Sequence, residues 1–240
     1  MQLDGMIFDL DGTLTDTFGV CFIAFREALR PFTGRSFTDE EIVARFGPSE
    51  EGMLQRWVPD RWEECLRLYL TAYEREHRRI GRTFPGVETA LGLLRTFGIR
   101  LGVVTGKGPQ SAAISVAQLG LAPYFDCIET GSPEGTVKVR CIERVLARWG
   151  VAPDRTAYLG DVVSDIEASR AVGAIPLAAA WDERSDGNAL RSRNPLAVFD
   201  TVSQFIDWIG ETVEPRAPAS QGPDATAFSK PEPAQGRPWN

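Results

Sequence analysis

The chain has 240 residues, 43% of them hydrophobic and 25% charged, enough for one large domain or two modest ones with a packed core. Its formal net charge of −7 argues against a broad nucleic-acid surface, which needs a basic face, and no apolar run approaches the length that spans a bilayer. An acidic chain that handles a phosphorylated ligand must gather positive charge locally, through a metal or a few placed cations.

The first element is a buried strand over 3–10, short and apolar, that runs straight into Asp11-Gly12-Thr13. From 16 to 82 the pattern turns helical. Phe22, Phe25, Ala28 and Leu29 recur at helical spacing, Thr38 to Glu41 forms a capping box, and Ser49-Glu50-Glu51 opens another helix. A longer helix over 60–80 carries Trp62, Leu66, Tyr69, Leu70 and Tyr73 on one face. His77, the one histidine, sits among Arg75, Arg78 and Arg79 and is expected at a solvated helix end.

After Phe84-Pro85-Gly86, strands and helices alternate. Helices are expected over 87–97, 109–119, 139–149, 164–172 and 202–209, and strands over 100–105, 124–129, 156–159, 174–179 and 197–199. Repeated strand–helix units imply a parallel sheet with helices on both faces, the doubly wound α/β class. The expected division is an α/β core over 1–15 and 83–211, a helical insert over 16–82, and a disordered tail over 212–240, where Pro, Ala, Ser, Gln and Gly replace apolar clusters.

Cys21, Cys65, Cys127 and Cys141 form no CxxC pair and sit in apolar stretches, so free buried thiols in a reducing cytoplasm are expected. The N-terminus opens without the basic-then-apolar pattern of a signal peptide.

Four segments carry chemistry, and each follows an expected strand. Asp9 and Asp11 leave the first strand two residues apart: one can act as nucleophile or metal ligand, the other as general acid and base. Thr105 and Gly106 end an apolar strand, where a hydroxyl and free N–H groups suit a phosphoryl oxygen. Lys138, one of only three lysines with Lys107 and Lys230, stands at a helix N-terminus, an end whose dipole disfavours cations and so calls for a negative partner. Asp161 follows a further strand, with Asp165 four residues on, and offers the oxygen ligand that magnesium prefers.

Taken together, DLDGTLTDT, VVTGK, the isolated Lys138 and YLGDVVSDIEASRAVG resemble the haloacid dehalogenase superfamily, in its phosphoglycolate-phosphatase-like branch, across about residues 3–211. The resemblance implies a Rossmann-like core with a helical cap and a Mg2+-dependent phosphatase acting on a small phosphorylated metabolite, with no nucleic-acid or membrane partner. It also implies roles. Asp9 is the nucleophile and Asp11 the general acid and base; Thr105, Gly106 and Lys138 hold the phosphoryl group; and Asp9, Asp11 (through its carbonyl), Asp161 and Asp165 serve the metal. Asp11 separates the chain from haloacid dehalogenases, which lack that second aspartate, and a lysine-free cap separates it from phosphonate hydrolases that use one. A sugar phosphomutase of the same build and a non-catalytic binding protein are the alternatives. Phe46-Gly47-Pro48 resembles a cap loop of phosphoglycolate and pyrophosphate hydrolases and points to a small anionic substrate. The pattern departs from the family at Val139, where proline is common, and at Gly106-Lys107, where Lys107 is expected to lie on the surface.

Overall fold

The computed structural model describes residues 1–216. Six parallel strands form one sheet in the order β5-β4-β1-β6-β7-β8: β1 (Gly5–Phe8), β4 (Arg100–Val104), β5 (Cys127–Glu129), β6 (Thr156–Gly160), β7 (Ile175–Ala179) and β8 (Ala197–Phe199). Side chains alternate across a strand, so Met6 and Phe8 of β1 enter the core on one face while Ile7 enters it on the other. Helices α5 (Val87–Thr96), α6 (Pro109–Gln118) and α10 (Val202–Thr212) contribute to the first of these cores, and α7 (Lys138–Trp149) and α8 (Val163–Ala171) to the second. The expected doubly wound α/β sheet is therefore the observed fold. α7 buries Cys141, Ile142, Val145, Leu146 and Trp149, a stripe at helical spacing. The Trp149 ring lies so close over β1 and β4 that a Cβ at Gly5 would come within 2.6 Å of it.

Because β1 pairs with β4 on one side and β6 on the other, the loops after all three strands meet at one sheet edge. The C-terminal edge of the strands is where open α/β sheets bind ligands.

A third, all-helical core packs over this edge. It comprises α1 (Phe18–Thr33), α2 (Asp39–Val43), α3 (Glu50–Trp57) and α4 (Trp62–Ile80). Its centre is Phe25 against Tyr69, with ring centroids 4.5 Å apart. The expected capping box is formed at α2: Glu41 N donates to Thr38 Oγ1 and Thr38 N donates to Glu41 Oε2. Two very short strands, β2 (Thr15–Asp16) and β3 (Arg82–Thr83), pair antiparallel where the chain leaves the sheet for the helical layer and where it returns.

Two sequence expectations need correction here. His77 is buried, 2% exposed, with its ring edge-on to Tyr73. It continues the inward face of α4 set by Tyr69 and Tyr73 at four-residue steps, while Arg75, Arg78 and Arg79 point outward. The tail was expected to begin at 212, yet Thr212 closes α10, Val213 is buried in the sheet core, Glu214 N donates to Met1 O and Arg216 N donates to Phe97 O. The remainder of that segment, 217–240, lies outside the described residues. A short helix, α9 (Gly187–Ser192), forms between the expected strands 174–179 and 197–199, where the sequence reading assigned no element; Asp186 caps it through Ala189 N at 2.9 Å and Leu190 is buried.

Candidate active site

Asp9 stands immediately after β1, held by its N–H to Leu159 O at 2.9 Å across the strand pair with β6. One carboxylate oxygen accepts from Leu10 N at 2.7 Å, and the other accepts from Lys138 Nζ at 2.5 Å. Lys138, at the first turn of α7, also donates to Asp165. Asp165 is fully buried at the start of α8, where its other oxygen accepts from Val162 N at 3.2 Å. Asp161 closes the group from the loop after β6, accepting from Thr13 Oγ1 at 3.2 Å. Carboxylate oxygens of Asp9, Asp161 and Asp165 lie within 4.8 Å of one another. No side chain fits at Gly12, which has φ 76° and leaves Asp161 the space a Cβ would take.

Three buried carboxylates face one ammonium here, and their ionisation reflects it. Burial raises Asp9 above the ordinary aspartate value, with Lys138 opposing and Asp165 adding to the rise. Burial raises Asp161 well above it, reinforced by the charges of Asp9 and Asp165. Burial works against the charge of Lys138, but Asp165 and Asp9 outweigh it and hold its pKa well above that of a free lysine. All-oxygen donors with a surplus of negative charge are what a hard divalent cation prefers, so this cluster fits Mg2+ by its donor set and by the repulsion that only added positive charge can relieve.

Lys107 is not on the surface. It is 5% exposed, with Nζ 3.4 Å from Asp11 Oδ2 and 3.1 Å from Glu50 Oε1. The same ammonium lies 3.3 Å from Cys21 Sγ and 4.5 Å from the centre of the Tyr73 ring. Burial disfavours its charge, yet Asp11, Cys21, Tyr73 and Glu50 together hold its pKa well above the usual lysine range. Glu50, at the first position of α3, accepts from Gly108 N at 2.5 Å and Ser111 Oγ at 2.7 Å. Burial would raise Glu50; Lys107 and these donors overcome it and keep the carboxyl below its ordinary value. Asp11 also accepts from Thr17 Oγ1, just after β2. Sequence reasoning missed the Glu50–Lys107 pair, because both groups look solvated in their local context.

A cavity of about 450 Å³ opens between the helical layer and the sheet edge. Asp9, Asp11, Thr105, Gly106, Lys138 and Asp161 all line it, and Asp165 stands one layer behind, against Lys138. Thr105 is fixed by its N–H to Glu129 O at 3.0 Å, and its hydroxyl accepts from Lys107 N at 3.3 Å. The seven residues singled out in the sequence thus share one site. Cys21 also lines the cavity, but burial pushes its thiol up to about 12, so it stays protonated and poorly nucleophilic.

Residues 6–179 match the family model described as haloacid dehalogenase-like hydrolase. Over 211 residues the chain is 30% identical to a phosphoglycolate phosphatase of Synechococcus elongatus, covering 85% of this chain and 96% of that one. Over 210 residues it is 25% identical to pyrophosphatase PpaX of Bacillus pumilus, covering 87% and 97%. Among solved structures, that of a predicted phosphoglycolate phosphatase from Haemophilus somnus aligns with a TM-score of 0.74 over 86% of this chain and 98% of the other. At 20% identity, that likeness is one of fold.

Proposed function

Since the chain belongs to the haloacid dehalogenase-like hydrolases, we propose that it is a magnesium-dependent phosphatase that cleaves a small phosphorylated metabolite through an aspartyl-phosphate on Asp9. The observation that carries this reading is the cluster at the end of β1: Asp9 bonded to Lys138 at 2.5 Å and grouped with Asp161 and Asp165.

The substrate phosphorus is attacked by a carboxylate oxygen of Asp9 as the ester P–O bond breaks. Asp11 donates a proton to the departing oxygen. In the second half, Asp11 takes a proton from water as that water attacks the aspartyl-phosphate, releasing inorganic phosphate and restoring Asp9. Lys138, the Thr105 hydroxyl and the Gly106 backbone hold the phosphoryl oxygens in line with Asp9. Asp9, Asp161, the Asp11 carbonyl and Asp165, directly or through water, would hold Mg2+, which when bound supplies the positive charge that offsets repulsion between the phosphate and the carboxylates. The helical layer acts as a cap that excludes water from the site. No helix among the described residues is long and apolar enough to cross a membrane. The four free, buried thiols fit a reducing compartment and support a cytoplasmic location.

Asp9→Asn keeps the size and most hydrogen bonds of the nucleophile but removes its charge. The expected outcome is loss of magnesium-dependent phosphate release with an unchanged circular dichroism spectrum. Unchanged turnover in that variant would defeat the proposal.

A further inference from the structure

The chemistry of the cavity beyond the acid cluster bears on the part of the substrate that leaves. This step rests on the phosphatase reading above. Of the side chains lining the cavity, two are cationic, Lys107 and Lys138. Lys138 is engaged by Asp9 and Asp165 at the phosphoryl end. Lys107 is enclosed between Asp11, Glu50 and Cys21 and is 5% exposed. A second anionic group on the substrate would therefore meet the carboxylates of Asp11 and Glu50 with no unpaired cation among the described lining residues. The nearby arginines do not serve. Arg184 lies over the Phe18 and Phe22 rings at 5.5 and 5.7 Å, outside the lining, beside Asp182. Arg45 lies over Trp57.

Most other side chains of the lining are apolar, Phe18, Phe25, Phe46, Pro48, Met53 and Val137 among them; Thr136 and Ser164 are polar. Phe18, Phe22 and Phe46 stack nearly parallel, with centroids 6.2 to 6.5 Å apart, and Phe46 remains 41% exposed. Beyond these stacking partners Phe46 leaves apolar surface exposed along the cavity lining, and a flat apolar group is what that surface accepts.

We infer that the substrate is a phosphomonoester whose alcohol portion is uncharged and apolar, with an aryl or arylalkyl group seated against Phe46, Phe18 and Met53. Burying a carboxylate or second phosphate beside Glu50 has an uncompensated desolvation and like-charge cost, whereas an apolar ring gains from leaving water. The small anionic substrate expected from the Phe46-Gly47-Pro48 loop, and the bisphosphate that a mutase must hold, both conflict with this lining. The substrates in the relatives' names then do not carry over to this chain.

The test measures phosphate release by the full chain with Mg2+ on benzyl phosphate and n-butyl phosphate against phosphoglycolate and pyrophosphate. Benzyl phosphate and phosphoglycolate both release an alkoxide, so their comparison reads the pocket rather than the leaving group. The expected kcat/KM for benzyl phosphate exceeds that for phosphoglycolate by about tenfold or more, with butyl phosphate between them. Phe46→Arg, a change at an exposed position, is expected to narrow that ratio by about tenfold by adding a cation at the mouth. Phosphoglycolate or pyrophosphate turned over as well as benzyl phosphate would overturn the inference and leave the phosphatase reading standing. An unchanged ratio in Phe46→Arg would remove Phe46 from the leaving-group contact and overturn the assignment. Failure to release phosphate from any ester would defeat the phosphatase reading and this inference with it.

Discussion

On the proposed mechanism Asp11 can serve a leaving oxygen only if its carboxyl is aimed at the cavity, and two groups hold it: Thr17 Oγ1 on one oxygen and Lys107 Nζ, 3.4 Å away, on the other. Lys107 acts on the reaction through Asp11 and is in this sense a positioning residue. Replacing it by Met removes the ammonium and keeps the length of the stem. Loss of general-acid alignment costs about 100-fold when the leaving oxygen needs a proton. It costs far less when the leaving group departs as a stable anion. Lys107→Met is therefore expected to cut kcat/KM, which reports only the steps up to departure of the leaving group, by about 100-fold for benzyl phosphate and by about tenfold or less for 4-nitrophenyl phosphate. Equal losses on both substrates would place Lys107 on the phosphoryl group instead. The variant also leaves Glu50 buried without its cation, a loss of about 3–5 kcal/mol. Lys107→Met combined with Glu50→Gln is expected to regain stability without regaining activity, which separates the two effects in one series of melts and assays.

At the scale of elements, activity depends on the helical layer sitting on the sheet edge. The first turn of α3 makes that contact: Ser49 N donates to Ser132 O at 2.9 Å, and Glu50 reaches Gly108 and Ser111. Gly52 follows, packed so closely that a Cβ there would lie 2.7 Å from Pro133 Cα. Gly52→Ala raises helix propensity by about 1 kcal/mol, so local helix stability and docking move in opposite directions. The expected result is unchanged or greater helical content with kcat/KM down by about tenfold or more, read by circular dichroism and phosphate release. Full activity in the variant would show that α3 does not need this approach. These contacts also mark what the sequence could reveal. β1, β4 and β6 were legible because central parallel strands are apolar on both faces, and their shared edge brings Asp9, Thr105 and Asp161 together with no further information. Lys138 was legible through its rarity and its unfavourable helix end. The ribbon of β2 and β3 was not, since two residues paired across the whole helical layer carry no local pattern. Lys107 and Glu50 were not legible either: each is a charged side chain in a polar stretch, and only tertiary docking buries them against each other.

For the whole molecule, the acid cluster ties stability to both pH and Mg2+. Asp9 and Asp161 have folded pKa values raised above the ordinary 3.8. A carboxyl raised on folding costs stability once pH exceeds its unfolded value, and the cost is complete above its folded value. The metal-free protein therefore carries the penalty in full only above the raised values and sheds it as the pH falls through them. Mg2+ bound at the proposed site would relieve the same repulsion and compete with protons for the same oxygens. At 100 times its dissociation constant it stabilises by about 2.7 kcal/mol, which for a chain of this size is about 5–10 °C in melting temperature. That shift is expected near pH 8 and expected to shrink as the pH falls through the raised range. His77 complicates a simple pH titration. It is buried with no partner among the described residues for either ring nitrogen, burial lowers its pKa below 6.5, and stability is lost as pH falls below that value because only the unfolded chain takes up the proton readily. The quantity to follow is therefore the difference in melting temperature with and without Mg2+ at each pH, in which the His77 contribution cancels. Asp161→Asn supplies the control with a distinctive sign. By removing one of the repelling charges it is expected to raise the melting temperature of the metal-free protein while abolishing the Mg2+ increment. A magnesium shift that survives in Asp161→Asn, or one that does not depend on pH, would mean the ion acts elsewhere on the molecule.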